Sequence, residues 1–290
     1  VTENVSRHLL APTLKHASQI LAAAVCDSPH LDSEVLLAHV LGQDRAWLYA
    51  HPEHVLSPSQ SSAYQSLVSR RARREPVAYL TEHKEFYALD FYVTPDVLIP
   101  RPETELLVEH AIQWMKTSCV SGTIADVGTG TGAIAVTLAL HLPQAQVIAT
   151  DISPATLIVT RRNAARHGVA NRVFPLQADL LAPLSEPLGL IVANPPYLSH
   201  AELSTASPEV VHWEPRAALD GGPDGLAVIC RLLSMTSDRL ASGGALLVEI
   251  GADQGYGVLD LARCYFPGAT VEIAKDYANR DRLLFVQYPR

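Results

Sequence analysis

The chain has 290 residues, of which 48% are hydrophobic, and its formal net charge is −8. Such a chain can bury a sizeable core and is not disordered, and the acidic balance argues against direct nucleic-acid binding, which normally goes with a basic excess. No apolar run reaches membrane-spanning length and no charged-then-apolar leader is evident, so a cytoplasmic location and no membrane partner are expected.

Four cysteines (Cys26, Cys119, Cys230, Cys264) lie scattered without CxxC spacing, as in a reducing compartment and unlike a structural zinc site. The twelve histidines show no HExxH spacing, and no metal is expected. Residues 1 to about 80 read as a small helical bundle. Leu14, Ile20, Leu21 and Val25 recur at helical spacing. A second helix runs through Leu31–Leu37, with Asp32 or Ser33 as N-cap, and stops near Gly42. A third follows Ser57-Pro58 and carries Tyr64, Leu67 and Val68. It ends in a cluster of Arg70, Arg71, Arg73 and Arg74, which suits either an acidic or phosphorylated partner or a solvated helix end.

Residues 84–94 change period. Phe86-Tyr87 and Phe91-Tyr92-Val93, separated by Ala88-Leu89-Asp90, read as a short β-hairpin. In the run Leu98–Glu105 (LIPRPETE), Pro102 suits a first helical position, and Glu103 and Glu105 suit a first turn. Pro100 and Pro102 also restrain the backbone on both sides of Arg101, as the wall of a site requires.

From there strands and helices alternate. Strands are expected at 123–127, 146–150, 173–176, 188–193, 245–250, 271–274 and 283–287, with helices at 133–141, 154–167, 224–240 and 258–265. The fold class is therefore α/β: a doubly wound, mostly parallel, seven-stranded sheet of the Rossmann-like kind, with a small N-terminal helical bundle and a linking β-hairpin. The last two strands lie too close in sequence for a crossover, so one of them runs antiparallel. The expected organisation is a helical domain over 1–82, a hairpin linker over 83–101 and a catalytic domain over 102–290.

Two stretches carry chemistry. The first, Asp126-Val127-Gly128-Thr129-Gly130-Thr131-Gly132-Ala133, joins a strand to a helix, and its glycines let backbone approach a ligand at a helix mouth whose free N–H groups suit an anion. Asp151 ends the next strand, where a carboxylate can accept from both ribose hydroxyls. NAD and S-adenosylmethionine both satisfy that pair. The spacing is G-x-G-x-G and not the dinucleotide G-x-G-x-x-G. Asp126 would repel a pyrophosphate but could meet the cationic end of S-adenosylmethionine. Asp179 closes the third strand, where it could bond an adenine amino group or cap a turn.

The second stretch is Asn194-Pro195-Pro196-Tyr197, immediately after the apolar run Leu188–Ala193. Neither proline has an N–H, so the strand cannot continue. The Asn194 side-chain oxygen and the Pro195 carbonyl can together accept both hydrogens of a planar –NH2 group, and Tyr197 offers a flat face. A methyl donor in the first site and an amine holder in the second make a methyltransferase.

These residues resemble the class I S-adenosylmethionine-dependent methyltransferases with an (N/D)PP(Y/F) motif. Glu75–Thr81 (EPVAYLT), Glu85-Phe86-Tyr87, LIPRPETE, Asp126–Ala133, Asn194–Tyr197, Glu214–Gly222 (EPRAALDGG) and Asp224-Gly225-Leu226 narrow the resemblance to the PrmC/HemK family. It covers residue 75 to the end. The resemblance implies methylation, at N5, of the glutamine in the Gly-Gly-Gln motif of peptide-chain release factors. Asp126, Gly128, Thr129, Gly130, Thr131, Gly132, Asp151, Asp179, Leu180 and Asn194 would hold the cofactor, Asn194–Tyr197 the glutamine, and the N-terminal domain would help to dock the release factor. An adenine-N6 DNA or RNA methyltransferase uses the same amine-holding motif and is the alternative. Two positions depart from the family: Glu82 stands where Gly is common, and Asn279 falls where an Ala-Gly is usual.

Overall fold

The computed structural model describes residues 9–118, 120 and 122–289; Cys119 lies outside them. The chain forms two compact units. One comprises the residues up to His83 together with Pro208–Trp213, and the other Lys84–Ser207 with Glu214 onward.

The first unit contains helices α1 (Leu10–Ala23), α2 (Pro29–Leu41), α3 (Arg45–Ala50), α4 (Pro58–Arg71) and α5 (Val77–Thr81). Leu10, Leu21, Leu36, Leu37, Tyr64 and Val68 form its core. Ile20 and Val25, expected on the buried stripe, are exposed; Ile20 lies within α1, and Val25 lies beyond its end with a left-handed φ of 57°. Helix α2 starts earlier than expected. Ser28 precedes Pro29 at its first position, and Asp32 and Ser33 are interior, buried residues and not caps. Gly42 ends α2 with φ 64°. Helix α4 opens on a reciprocal cap between Ser57 and Gln60. The short helices α3 and α5 carry too few residues for a periodic signal and were not expected.

The arginines at the end of α4 are engaged within this unit. Arg71 is buried; its Nε donates to Asp32 Oδ2 at 2.7 Å and its Nη1 to Glu209 Oε1 at 3.0 Å. Arg74 grips the same Glu209 through Nε at 2.6 Å and Nη2 at 2.7 Å. Arg70 pairs with Glu75 at 2.5 and 2.8 Å. Neither sequence reading of the cluster holds as stated: its acidic partners lie in the same chain, and Arg73 alone of the four is exposed.

The hairpin β1 (His83–Phe86) and β2 (Leu89–Tyr92) follows, all of it but His83 in the second unit. Its turn is the pair Tyr87-Ala88, with φ 54° and 57°, one residue earlier than expected. Positive φ at both central residues matches the right-handed twist of the strands. Helix α6 (Thr104–Thr117) follows, starting two residues after Pro102. The remaining order is β3 (Ile124–Val127), α7 (Ala133–His141), β4 (Val147–Asp151), α8 (Pro154–Arg166), β5 (Val173–Gln177), β6 (Leu188–Ala193), α9 (Ala227–Thr236), β7 (Leu240–Glu249), α10 (Gly255–Tyr265), β8 (Thr270–Lys275) and β9 (Asp281–Gln287). Between β6 and α9 lie short helices at His200–Thr205 and Pro208–Trp213 and a 3-10 turn at Arg216–Ala218.

The seven-stranded sheet has the order β5-β4-β3-β6-β7-β9-β8. β9 runs antiparallel to both β7 and β8, and the other pairs are parallel. All of β3 and β6 is buried, because helices cover both faces of a doubly wound sheet. One core cluster gathers Ile124, Leu138, Val147 and Leu190. The other gathers Val127, Ile191, Leu246 and Val258. Strand order reverses beside β3 and β6, the place where open α/β sheets bind ligands. Among the described residues no helix is long and apolar enough to cross a membrane, and no group of three or more His, Cys, Asp or Glu is arranged to hold a metal.

Candidate active site

The register of the sheet assembles the site. Val127 lies opposite Thr150 on one side and Ala193 on the other, and Ala193 lies opposite Val248. The residue after each is therefore the next in one row along the carboxyl edge: Asp151, Gly128, Asn194 and Glu249. Three had been singled out from the sequence. Glu249 had not, because it reads as the end of an apolar strand.

A cavity of about 420 Å³ opens over this row, lined by Gly128, Gly130, Asp151, Asp179, Leu180, Asn194 and Pro196, with Asp96 and Arg231 on its rim. Thr129, Thr131 and Gly132 are buried behind the loop instead. Gly132 sits at φ 81°, and a Cβ there would lie 2.9 Å from Thr160 Cγ2, so glycine is required for packing against α8. The Thr160 hydroxyl donates to Gly130 O at 2.8 Å. The buried Asn163 amide ties the loop to the hairpin, donating to Thr131 O and to Tyr92 O, both at 2.9 Å.

Four of the loop N–H groups are not free, contrary to the sequence reading. Those of Gly128 and Thr129 both donate to Thr150 O at 2.9 Å, that of Gly132 to Thr129 O at 2.9 Å, and that of Gly130 to Asp151 Oδ2 at 3.2 Å. The loop folds over the end of β4 and spends three of these donors there. Its exposed glycines offer close approach, not an anion cradle, which fits a pyrophosphate poorly.

Asp126 is fully buried under the loop, not on the cavity wall. Its Oδ2 accepts from the Thr129 hydroxyl at 2.6 Å and from Ala135 N–H at 3.1 Å, while Oδ1 has no partner among the described residues. Burial pushes this carboxyl up to about 7, against those two donors. Burial also raises Asp151, opposed by the N–H donors of Ser153 and Gly130. Asp179, expected to bond a base or cap a turn, pairs with Arg231 at 2.6 Å on the rim. Leu180 beside it takes φ 52°.

Asn194 Nδ2 donates to Thr104 Oγ1 at 3.0 Å. Pro195 is buried, and Tyr197 packs against the core with its hydroxyl donating to Glu249 Oε1 at 3.2 Å. Tyr197 does not line the cavity. The Gln254 amide donates to Tyr197 O at 2.9 Å, and Gly225 lies so close that a Cβ there would come within 2.3 Å of that carbonyl. Glu249 is 1% exposed. Burial pushes it up to about 7, opposed by Thr104, Arg282 and Tyr197, while Glu103 adds to the rise. Arg101, suspected as a wall, instead places one Nη on both oxygens of buried Glu214, at 2.6 and 2.7 Å. This pair joins LIPRPETE to EPRAALDGG.

Both Asp126 and Glu249 hold protons more tightly folded than unfolded, where ordinary values of 3.8 and 4.5 apply. At these two carboxyls the folded protein therefore carries more protons than the unfolded chain between about pH 4 and pH 7, and their contribution to stability falls as pH rises through that window. Urea midpoints measured across this range for the wild type and an Asp126→Asn/Glu249→Gln double variant should differ by that contribution.

Residues 13–81 match the family described as PrmC N-terminal domain, and residues 102–222 that described as methyltransferase small domain. A release factor glutamine methyltransferase of Moorella thermoacetica is 47% identical over 97% of this chain and 99% of its own. One of Geobacter sulfurreducens is 43% identical over 83% and 84%. The chain belongs to the release factor glutamine methyltransferase family. A methyltransferase structure from Pyrococcus furiosus shares the fold, with a TM-score of 0.53 at 17% identity, covering 77% of this chain and 99% of that one. The two departures from this family's pattern have one explanation: Glu82 and Asn279 take φ 56° and 61°, the left-handed region that glycine enters freely. Asparagine tolerates it, whereas at Glu82 the conformation costs about 1–2 kcal/mol relative to glycine.

Proposed function

We propose that this methyltransferase transfers a methyl group from S-adenosylmethionine to the side-chain amide nitrogen, N5, of the glutamine in the Gly-Gly-Gln motif of peptide-chain release factors, in the cytoplasm. The observation that carries the reading is the row along the sheet edge. It sets the close-approach glycines, the Asp151 carboxylate and the amide-holding Asn194 in one cavity.

The cavity suits S-adenosylmethionine. Its walls mix carboxylates with apolar residues, and the N–H groups of Gly128, Thr129, Gly130 and Gly132 are already used, so a cationic nucleoside fits better than a pyrophosphate. Gly128 and Gly130 would lie against the cofactor, with Asp151 at its ribose and Asp179 and Leu180 near its adenine. Asp126, Thr129, Thr131 and Gly132 would act from behind by shaping the loop. When bound, the cofactor supplies an electrophilic methyl group on a sulfonium.

An amide nitrogen is a weak nucleophile because its lone pair is delocalised, so the protein's task is position and electrostatics. Asn194 Oδ1 and the Pro195 carbonyl accept the two amide hydrogens, which aims the nitrogen into the cavity and favours positive charge developing on it. Alignment of this kind contributes up to roughly 7–11 kcal/mol. The proton leaves to water after transfer. The helical unit shares in docking the release factor, and nucleic acid is not bound directly.

The test is transfer of labelled methyl to unmethylated release factor, to the same factor with Gly-Gly-Gln changed to Gly-Gly-Ala, and to DNA. Label on the first alone is expected; label on DNA alone would assign the site to adenine chemistry.

A further inference from the structure

Helix α8 carries three polar residues on its buried face. Thr156, Thr160 and Asn163 stand at i, i+4 and i+7, the spacing of one helical stripe, and they are 4%, 0% and 0% exposed. Threonine and asparagine are poor choices for a helix interior, and a buried polar group costs free energy unless it is hydrogen-bonded. Each of the three bonds a backbone group outside the helix.

Thr156 Oγ1 donates to Asp96 O at 2.9 Å. Residues 95–98 form one wall of the cavity. Thr160 Oγ1 donates to Gly130 O at 2.8 Å, closer than the carbonyl of Thr156 one turn back at 3.3 Å, so the hydroxyl serves the glycine loop before its own helix. Its Cγ2 is also the atom that a Cβ on Gly132 would meet, so one side chain bears on two of the loop's three glycines. Asn163 engages three backbone groups. Its Oδ1 accepts from Tyr92 N–H at 2.8 Å, and its Nδ2 donates to Tyr92 O and Thr131 O, both at 2.9 Å. The reverse orientation would set NH2 against an N–H and oxygen against two carbonyls, so the network admits one orientation only. Tyr92 ends β2, three residues before Pro95, so the same amide ties down the strand that leads into the other wall.

We propose that Thr156, Thr160 and Asn163 form a clamp on α8 that fixes both walls of the cavity, the glycine loop and residues 95–98, and that they are positioning residues for the binding of S-adenosylmethionine. Glycine reaches more backbone states than any other residue, so a loop built on three glycines gains most from being held from outside. A wall already in place takes up its ligand without an ordering cost, so the clamp contributes to affinity. Thr156 also lines the cavity, whereas Thr160 and Asn163 do not and act only through the backbone they hold. The inference rests on the reading of this cavity as the cofactor site.

Replacing Asn163 would unpair three backbone groups at once, so Thr160 is the position to test. Thr160→Val keeps the shape and the methyl group and removes the hydroxyl; Thr160→Ser keeps the hydroxyl. Val159→Ala, at a buried neighbour outside the stripe, loosens the helix without touching the clamp. Calorimetry with S-adenosylhomocysteine, run well below the melting temperature of every variant, should show Kd raised about tenfold in Thr160→Val, the scale of one buried hydrogen bond. Thr160→Ser and Val159→Ala should stay close to the wild type. In methylation assays the Thr160→Val loss should fall on KM for S-adenosylmethionine and not on kcat. An unchanged Kd in Thr160→Val would overturn the inference. So would an equal loss in Thr160→Ser, which would point to packing, or in Val159→Ala, which would point to a loosened helix. Wild-type protein that does not bind S-adenosylhomocysteine would overturn the cofactor reading itself, and this inference with it.

Discussion

Replacing Asn194 by alanine should lower kcat for glutamine methylation by about 10²–10³, the loss seen when one preorganised contact to a reacting group is removed. The residue stands at the carboxyl end of β6, where both sheet ladders stop at Ala193. Its own backbone is held by the two prolines that follow and by the grip of Gln254 on Tyr197 O. The alanine variant therefore keeps the turn and loses the acceptor together with the bond from Nδ2 to Thr104. Cofactor affinity, read by calorimetry, should change far less than kcat, because Gly128, Gly130 and Asp151 are untouched. Single-turnover methylation of purified release factor separates the two effects. Near-normal turnover would remove Asn194 from the reaction.

The second large effect concerns stability. Arg71→Met should lower the unfolding free energy of the helical unit by about 3 kcal/mol, the lower end of the range for breaking a buried ion pair, since Asp32 and Glu209 keep some access to water. The methionine fills the volume but leaves both carboxylates without that guanidinium. Arg74 still holds Glu209, whereas Asp32 loses its ion-pair partner. Urea denaturation of the full chain should show the shift in the transition of the helical unit. Hydrogen exchange should rise in Pro208–Trp213, the segment that Glu209 anchors to this unit. An unchanged midpoint would mean that the arginine is as well replaced by an apolar side chain, as happens when both partners of a buried pair are exchanged together.

Much of the fold was legible because the signals are local. The α7 helix and the β6 strand fall on the residues expected, since Ala133–His141 and Leu188–Ala193 are mostly apolar runs bounded by Gly132 and by Asn-Pro-Pro. The antiparallel β9 followed from the short link after β8. The misses share a cause: local pattern was weak or tertiary contact overrode it. Ile20 and Val25 carry the right chemistry but lie outside the packed stripe. Asp32 resembles a cap in isolation, yet it is drawn inside α2 as the buried partner of Arg71, thirty-nine residues away. The acidic partner of Arg71 and Arg74 lies beyond position 200, out of reach of any local reading.

The site divides in the same way. Gly128, Asp151, Asn194 and the break at Pro195-Pro196 are marked by residue types that only special backbone or chemistry requires, so the sequence by itself determined the class of reaction and marked candidate residues for it. The tertiary structure alone decided that Asp126, Thr129 and Thr131 are buried behind the loop, that the N–H groups of Gly128, Thr129 and Gly130 are spent on Thr150 and Asp151, and that Glu249 joins the row. Parallel strands are paired by register across long crossovers, and a buried carboxylate acquires its role only from the neighbours that the register sets beside it.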